Sequence, residues 1–384
     1  MTISVPFHKP HITDAEIEAV AAVLRSGWLT MGPKTVEFEE SFRVRIGAAH
    51  AIAVSSATAA LHLALVAAGI GEGDEVIVPA MTFASSAEVV RYQNAVVVMA
   101  DIERDTHLLD ARRLEEKITP RTRAVMPVHY GGLPCDMDRI MDIARRRGLV
   151  VIEDAAHSLP AEYHGKTVGI IGDFTCFSFY ATKTLAVGEG GMITTENADW
   201  AERLRSLRLH GIGKDAWKRY SVEGSWAYDV TEIGYKYNMT DISAAIGVEQ
   251  LKKLDWMNGR RAAVASAYDV AFAGADALVP YGKREGRSSA WHLYPLRLNL
   301  DALSIDRARF IVELKERGIG ASVHFIPLYR FMHYQKMGYR AADFPECEWA
   351  FEREVSLPIY PGMGDDAVNV VIEAVLAIIQ KFRR

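Results

Sequence analysis

A lone lysine closes the run Asp173-Phe174-Thr175-Cys176-Phe177-Ser178-Phe179-Tyr180-Ala181-Thr182-Lys183. Small residues follow it, Thr184-Leu185-Ala186-Val187-Gly188-Glu189-Gly190-Gly191, before Met192-Ile193-Thr194-Thr195 resumes as a strand. A β-prone apolar run that ends this way delivers one amine from a strand end into a space where a flat ligand can lie. Taken out of water, such an amine is a nucleophile for a carbonyl carbon. A second group has a similar setting. Leu149-Val150-Val151-Ile152-Glu153 is an apolar run ending on Asp154, with His157 three residues on. A carboxylate there points into a sheet-edge crevice, although an aspartate at a strand end is also an ordinary helix cap or loop hydrogen-bonder.

Two further stretches suit the same crevice. Ser55-Ser56-Ala57-Thr58 joins a strand, His50 to Val54, to the apolar helix Ala59 to Ala68. Such a turn offers free backbone N–H groups and the positive end of a helix dipole to an anion, or it is plain N-capping. Met81-Thr82-Phe83-Ala84 sits at the C-terminal end of the strand Glu75 to Pro79, where open α/β sheets place ligands. An amine for an aldehyde, a carboxylate, an anion cradle and a flat ring together suit pyridoxal phosphate held by Lys183 as a Schiff base. No metal is needed: twelve histidines are scattered and none pairs with cysteine at zinc spacing.

The elements that must position these groups alternate. Thr13-Asp14-Ala15-Glu16 is a capping box opening a helix that Ser26-Gly27 stops, and a second helix starts near Lys34. Strands at 50–54, 75–79, 95–100, 124–128 and 149–154 alternate with helices at 59–68, 110–118 and 137–147, which predicts a mostly parallel sheet in an α/β domain. The apolar continuity of 149–152 fits a strand covered on both faces. A helix runs to about Leu207, and a long one spans 242–258. From Arg260 the text turns mostly helical, with a helix at 260–272, strands at 291–298 and 321–325, and helices at 305–317 and 366–382. The spacing predicts a large domain over 1–257, with an N-terminal arm, and a small domain over 258–384. Two loops stand out. Trp28-Leu29-Thr30-Met31-Gly32-Pro33 is either a core anchor or a ligand contact, and His210 to Asp229 interleaves Lys214, Trp217, Lys218, Arg219, Tyr220 and Trp226, suiting a nucleotide or a subunit contact.

Composition limits the alternatives. The 384 residues are 49% hydrophobic and 24% charged, ordinary for a folded protein, and the net charge of −5 gives no global reason to expect nucleic acid. Cys135, Cys176 and Cys347 make no disulfide framework, which fits a reducing cytoplasm. No apolar run approaches the ~20 residues of a membrane span. Gly165-Lys166-Thr167 lacks the upstream glycine of a P-loop, since Pro160 occupies that position, and the glycines at 69, 71 and 73 are wrongly spaced for a dinucleotide fingerprint.

Several blocks, taken together, resemble the DegT/DnrJ/EryC1/StrS nucleotide-sugar aminotransferases. They are Ser55 to His62, Pro79 to Phe83, Ile152 to His157, Phe177-Ser178-Phe179 with Lys183, Glu189-Gly190-Gly191 and Gly234 to Asp241. Ser26 to Pro33, Ala290 to Tyr294 and His324 to Leu328 extend the match over almost the whole chain, with the nearest likeness to enzymes aminating C4 of UDP-linked 4-keto sugars. The resemblance implies the type I (aspartate aminotransferase) fold and a homodimer with shared active sites. It implies that Lys183 holds the cofactor and, once displaced, acts as the proton-moving base, that Asp154 keeps the pyridine nitrogen protonated, that His157 lies near the 3-oxygen, and that Phe83 stacks on the ring. Ala57, Thr58 and Ser178 would hold the phosphate, with Asn238 reaching it from the other subunit. Trp28, Thr30, Arg219 and His324 would face the sugar. L-Glutamate would supply the amine, leaving pyridoxamine phosphate for the keto sugar. Tyr329 departs from the pattern, many relatives having histidine there. The rivals are a pyridoxamine-dependent dehydratase, which lacks the Schiff-base lysine, a C3-aminating relative, and a non-catalytic descendant.

Overall fold

The computed structural model describes residues 4–212 and 228–384. Thr13 donates both its amide and its hydroxyl to Glu16 (2.8 and 2.7 Å), opening α1 (Asp14–Ser26), which closes on Gly27 at φ 74°. No cap of its own opens α2 (Pro33–Ile46). Asp241, far along the chain, accepts the amides of Gly32, Lys34 and Thr35 at 2.8–3.0 Å, so one buried carboxylate satisfies three orphan donors.

Seven strands build the central sheet: β1 (His50–Val54), β2 (Glu75–Pro79), β3 (Val96–Ala100), β4 (Thr122–Val125), β5 (Val150–Asp154), β6 (Phe174–Ser178) and β7 (Gly191–Thr195). Their order is β1-β7-β6-β5-β4-β2-β3. All neighbouring pairs are parallel except those of β7, which runs antiparallel to both β1 and β6. Helices α3 (Ala57–Ala67), α4 (Ser85–Tyr92), α5 (Met137–Arg147) and α6 (Ala198–Leu207) connect and cover it, and the strands are almost wholly buried, as the apolar runs required. Alternation along β6 explains how a polar group is carried here. Phe177 and Phe179 turn toward Phe42 and Phe38 with centroids 5.1–5.6 Å apart, edge to face, which leaves Ser178 on the other face. Each such ring pair contributes about 0.5–1.5 kcal/mol beyond area burial. Gly247, on α7 (Asp241–Lys252), makes room for the Phe38 ring, which a Cβ there would meet at 2.7 Å.

After α7 the chain turns at Lys253 into α8 (Leu254–Phe272), so the long helix expected over 242–258 breaks earlier and the next runs unbroken through 257–260. A second core gathers Val264 and Tyr268 of α8, Leu296 of the strand Tyr294–Leu298, Phe310, Val355 of the strand Glu354–Leu357, and Ile378 of the helix Asp365–Phe382. Val5 belongs to this core and exchanges backbone hydrogen bonds with Gly318 and Gly320 (2.9 and 2.8 Å), so the N-terminal arm packs with the C-terminal unit.

Two expected elements differ. Within 110–118 only a 3₁₀ turn, Leu114–Lys117, forms, because the Asp110 side chain takes the Arg112 amide at 3.0 Å and favours a local turn over a helix. The stretch 321–325 makes one bridge, Ser322 with Ser356, and the His324 amide goes instead to the Glu354 carboxylate at 3.0 Å.

Candidate active site

Lys183 sits in a turn fixed by its own amide, which donates to the Tyr180 carbonyl at 2.9 Å. Thr184 hydroxyl ties the next residue to Leu159, and His8 of the N-terminal arm meets the Ala181 carbonyl at 3.1 Å. The backbone is therefore rigid where the amine is presented. Burial pulls the Lys183 ammonium down to about 8, with the charge of Asp154 opposing the shift. A lysine so placed gives up its proton near neutrality, as a nucleophilic or proton-moving amine must.

Asp154 ends β5 and is 4% exposed. Ser86 of α4 donates to its Oδ2 at 2.8 Å and pairs in turn with Thr82 at 2.8 Å, while the Ala156 amide reaches Oδ1 at 3.2 Å. Burial raises its pKa, with these donors and Lys183 working the other way. A carboxylate held by few donors in a desolvated place has strong need of a cationic N–H partner. Behind it lies Glu153, wholly buried, accepting from the Gly172 amide (2.8 Å), the Thr175 hydroxyl (2.7 Å) and His129 Nε2 (2.8 Å). Its charge draws His129 toward protonation, but the Cys135 amide occupies His129 Nδ1 at 3.1 Å, so the ring is neutral with its proton on Nε2.

Rings crowd the opposite wall. His157 accepts the Gly131 amide on Nδ1 at 3.2 Å, which leaves Nε2–H free to donate into the crevice. Burial and Lys183 push its pKa well below the usual histidine range. Its ring lies 4.4 Å from that of His292 and stacks with Phe325 at 5.7 Å, and Phe325 meets Phe83 at 5.9 Å. Phe83 is 60% exposed, an open ring face beside a strand end. His324 stacks on Phe7 at 5.5 Å, and burial and Lys183 bring it down to about 4.

The anion cradle is a meeting of three segments. Ser56 caps α3 by accepting the Ala59 amide at 3.0 Å, which leaves the amides of Ala57 and Thr58 at the helix mouth. Gly191 pairs with Ser178, and a Cβ on Gly191 would lie 2.6 Å from the Ser56 backbone. That close approach brings the Ser178 strand end against the helix start. Asn238 lies alongside, its backbone bridging Val54, while the Tyr237 carbonyl takes the Ser55 amide at 2.7 Å.

Other expected contacts lie apart. Trp28 lines a cavity of about 920 Å³ with Arg203 and Arg208, a cavity that Lys183, Asp154 and His157 do not line. Thr30 is exposed, its carbonyl taking the Asp241 amide at 3.2 Å. Arg219 falls outside the described residues. Tyr329 is buried, donates to Glu348 at 2.7 Å and stacks on Phe344 at 4.9 Å, so its departure from the family pattern is absorbed in a packed cluster. Ser86, Glu153, His129 and His292 were not foreseen: Ser86 lies in the first turn of α4, a helix the sequence pattern did not mark, and the others are brought to the site by partners distant in sequence.

A lysine near neutrality, a carboxylate on the facing strand end, an anion cradle and an aromatic face are the working parts of a pyridoxal-phosphate enzyme, and the open amides of α3, brought against the Ser178 strand end by the close approach at Gly191, fit the group's phosphate. Residues 10–376 match the model of the DegT/DnrJ/EryC1/StrS aminotransferase family. The chain is 52% identical over 379 residues to the uncharacterized protein MJ1066 of Methanocaldococcus jannaschii, covering 98% of each. It is 49% identical over 378 residues to the spore coat polysaccharide biosynthesis protein SpsC of Bacillus subtilis, covering 98% of this chain and 97% of that one. Among solved structures, Spr1654 of Streptococcus pneumoniae, a proposed sugar aminotransferase, matches in its PMP form at TM-score 0.93 and 37% identity, over 98% of this chain and 99% of that one. Its PLP form matches at 0.92 and 36%, over 99% of each. The chain belongs to the DegT/DnrJ/EryC1/StrS aminotransferase family, and its cofactor is pyridoxal phosphate, alternating with pyridoxamine phosphate.

Proposed function

We propose that this protein is a sugar aminotransferase that moves the amino group of L-glutamate onto C4 of a nucleotide-linked 4-keto sugar, UDP-linked in the first instance, for cell-surface polysaccharide. The observation that carries the transaminase reading is Lys183, a desolvated amine drawn down to about 8 opposite Asp154. A pyridoxamine-dependent dehydratase has no use for that lysine. The likeness to SpsC, named for spore coat polysaccharide biosynthesis, supports a surface-sugar product.

When bound, the cofactor supplies an electron sink that stabilises negative charge at the carbon losing a proton. The chain's residues do the rest. Asp154, with Ser86 and Ala156 fixing its oxygens, would hold a proton on the pyridine nitrogen by giving it a buried anionic partner. His157, whose Nδ1 accepts the Gly131 amide, would donate from Nε2 to the 3-oxygen. The Ala57 and Thr58 amides, with Ser178, would anchor the phosphate, and Phe83 would cover one ring face, so that Lys183 Nζ would be held for carrying a proton. Tyr180 and Ile233 are exposed (46 and 84%), which supports burial against a second copy, with Asn238 reaching the neighbour's phosphate.

The test is a panel of UDP-, GDP- and dTDP-linked 4-keto and 3-keto sugars with L-glutamate as donor, read by 2-oxoglutarate release. A UDP-linked 4-keto sugar should give the highest kcat/KM. Turnover of 3-keto sugars alone would overturn the C4 assignment, and turnover of dTDP- or GDP-linked sugars alone would overturn the UDP carrier.

A further inference from the structure

Two wholly buried polar residues lie behind His324 and take no part in the account above. Glu354 and Ser356 alternate along the strand Glu354–Leu357, so both face the same side, and neither shows any exposed surface. Ser356 Oγ stands 2.9 Å from His324 Nδ1 and hydrogen-bonds Glu354 Oε1, while Glu354 Oε2 accepts the His324 amide at 3.0 Å. Backbone bonds between Ser322 and Ser356 (3.2 and 2.8 Å) clamp the two segments, and the Tyr130 hydroxyl donates to the His324 carbonyl. The result is one continuous line: carboxyl, hydroxyl, imidazole, crevice.

We propose that Glu354, Ser356 and His324 form a proton relay, in which His324 takes or gives a proton at Nε2 while remaining a neutral imidazole. Glu354 and Ser356 are its positioning and proton-storing partners. The step balances. A proton arriving at Nε2 forms an N–H bond there, the Nδ1 proton passes to Ser356 Oγ, and the Ser356 proton passes to Glu354 Oε1. One proton has left the crevice and one carboxylate has been neutralised. Reversal delivers it again.

The physical need is clear. An imidazolium at His324 would sit in a desolvated site beside the Lys183 ammonium, and both effects bring the ring down to about 4. His324 acting alone is therefore a poor proton acceptor at neutral pH. The relay avoids the buried cation by moving the charge change to Glu354, whose carboxyl burial raises to about 8, against the pull of Ser356, the His324 amide and Arg307. The groups facing the relay are Lys183, His157 and His292 on the His324 side, and Arg307 and Tyr130 on the Glu354 side. This reading rests on the transaminase assignment for its use, since loss of water from the adduct of amine and ketone needs an acid and its reversal a base. It does not rest on it for its existence.

The deciding experiment is ¹⁵N NMR of the enzyme in its pyridoxamine phosphate form, labelled at histidine, with His324 assigned by its loss in His324→Gln. With Glu354 protonated, the hydroxyls point so that Ser356 donates to Nδ1 and the ring is Nε2–H. With Glu354 ionised the ring is Nδ1–H. The expected result is a neutral ring throughout the neutral-to-alkaline range, with one tautomeric step there. Glu354→Gln, whose amide can only donate toward Ser356, should lock the Nε2–H form at every pH. Ser356→Ala should remove the step and lower kcat about tenfold or more with KM little changed, and Ser356→Thr should restore both. An imidazolium signal at neutral pH in the wild type, or an unchanged step in Glu354→Gln, would overturn the relay. Neither result depends on which sugar is aminated.

Discussion

Glu153 and Glu354 are both wholly buried, and each is joined to a histidine, yet they do opposite things. Glu153 receives three donors, from Gly172, Thr175 and His129, and stands directly behind the strand end that carries Asp154. Both of its oxygens are met by fixed donors of the fold. Glu354 receives the His324 amide and the Ser356 hydroxyl, and burial holds its proton to about 8. The first freezes a strand end; the second leaves a proton movable beside the crevice. Burial alone does not separate structural from functional carboxylates. The number of fixed donors does.

Isosteric changes sharpen that contrast. The largest effect belongs to a third buried carboxylate, Asp154, which faces the cofactor directly. Asp154→Asn should lower kcat on the order of 10³-fold, because a neutral amide gives the pyridinium no anionic partner. Steady-state assays with pyridoxal phosphate in excess measure this, and a loss under tenfold would show that the carboxylate's charge is idle. Glu153→Gln comes next. Its amide N–H₂ must face at least one of three existing donors, so unfolding free energy should fall by about 2–3 kcal/mol in urea titrations. No change there would mean the three-donor description is wrong. The effect of Glu354→Gln on stability is pH-dependent. A carboxyl whose folded pKa lies above its unfolded value binds its proton more tightly in the folded state. The wild type therefore loses stability as pH rises from about 4.5 to about 8. The variant lacks that loss, so it should gain on the wild type by about 3–4 kcal/mol between pH 5 and pH 8. Parallel urea midpoints at the two pH values check the sign.

Legibility in the sequence followed the same divide. Lys183, Asp154 and the α3 mouth were readable because each ends an apolar run, where strand or helix periodicity stops and the side chain must face the sheet edge, whereas Ser178 came from the family resemblance. Glu354 and Ser356 were not. In Glu-Val-Ser-Leu the polar pair falls on alternate positions, the pattern of a solvent-facing strand side, whereas here that side faces His324 and is buried. Glu153 was hidden in the same way, next to the aspartate that drew notice. At 110–118 helical composition lost to an Asp110 side-chain turn, and at 321–325 strand propensity lost to a carboxylate that took the His324 amide. In each case a long-range or side-chain hydrogen bond overrode a local preference, and no local window contains its partner.

The central claim is that Lys183 carries the cofactor and that an amino donor releases it. The direct measurement is the visible spectrum of the purified protein reconstituted with pyridoxal phosphate, before and after L-glutamate, beside Lys183→Ala. The wild type should show the yellow band of lysine-bound cofactor, bleaching as glutamate converts it to the pyridoxamine form, and Lys183→Ala should lack that band. A wild type that stays colourless with added pyridoxal phosphate, or a Lys183→Ala variant with the same lysine-bound band, would contradict it.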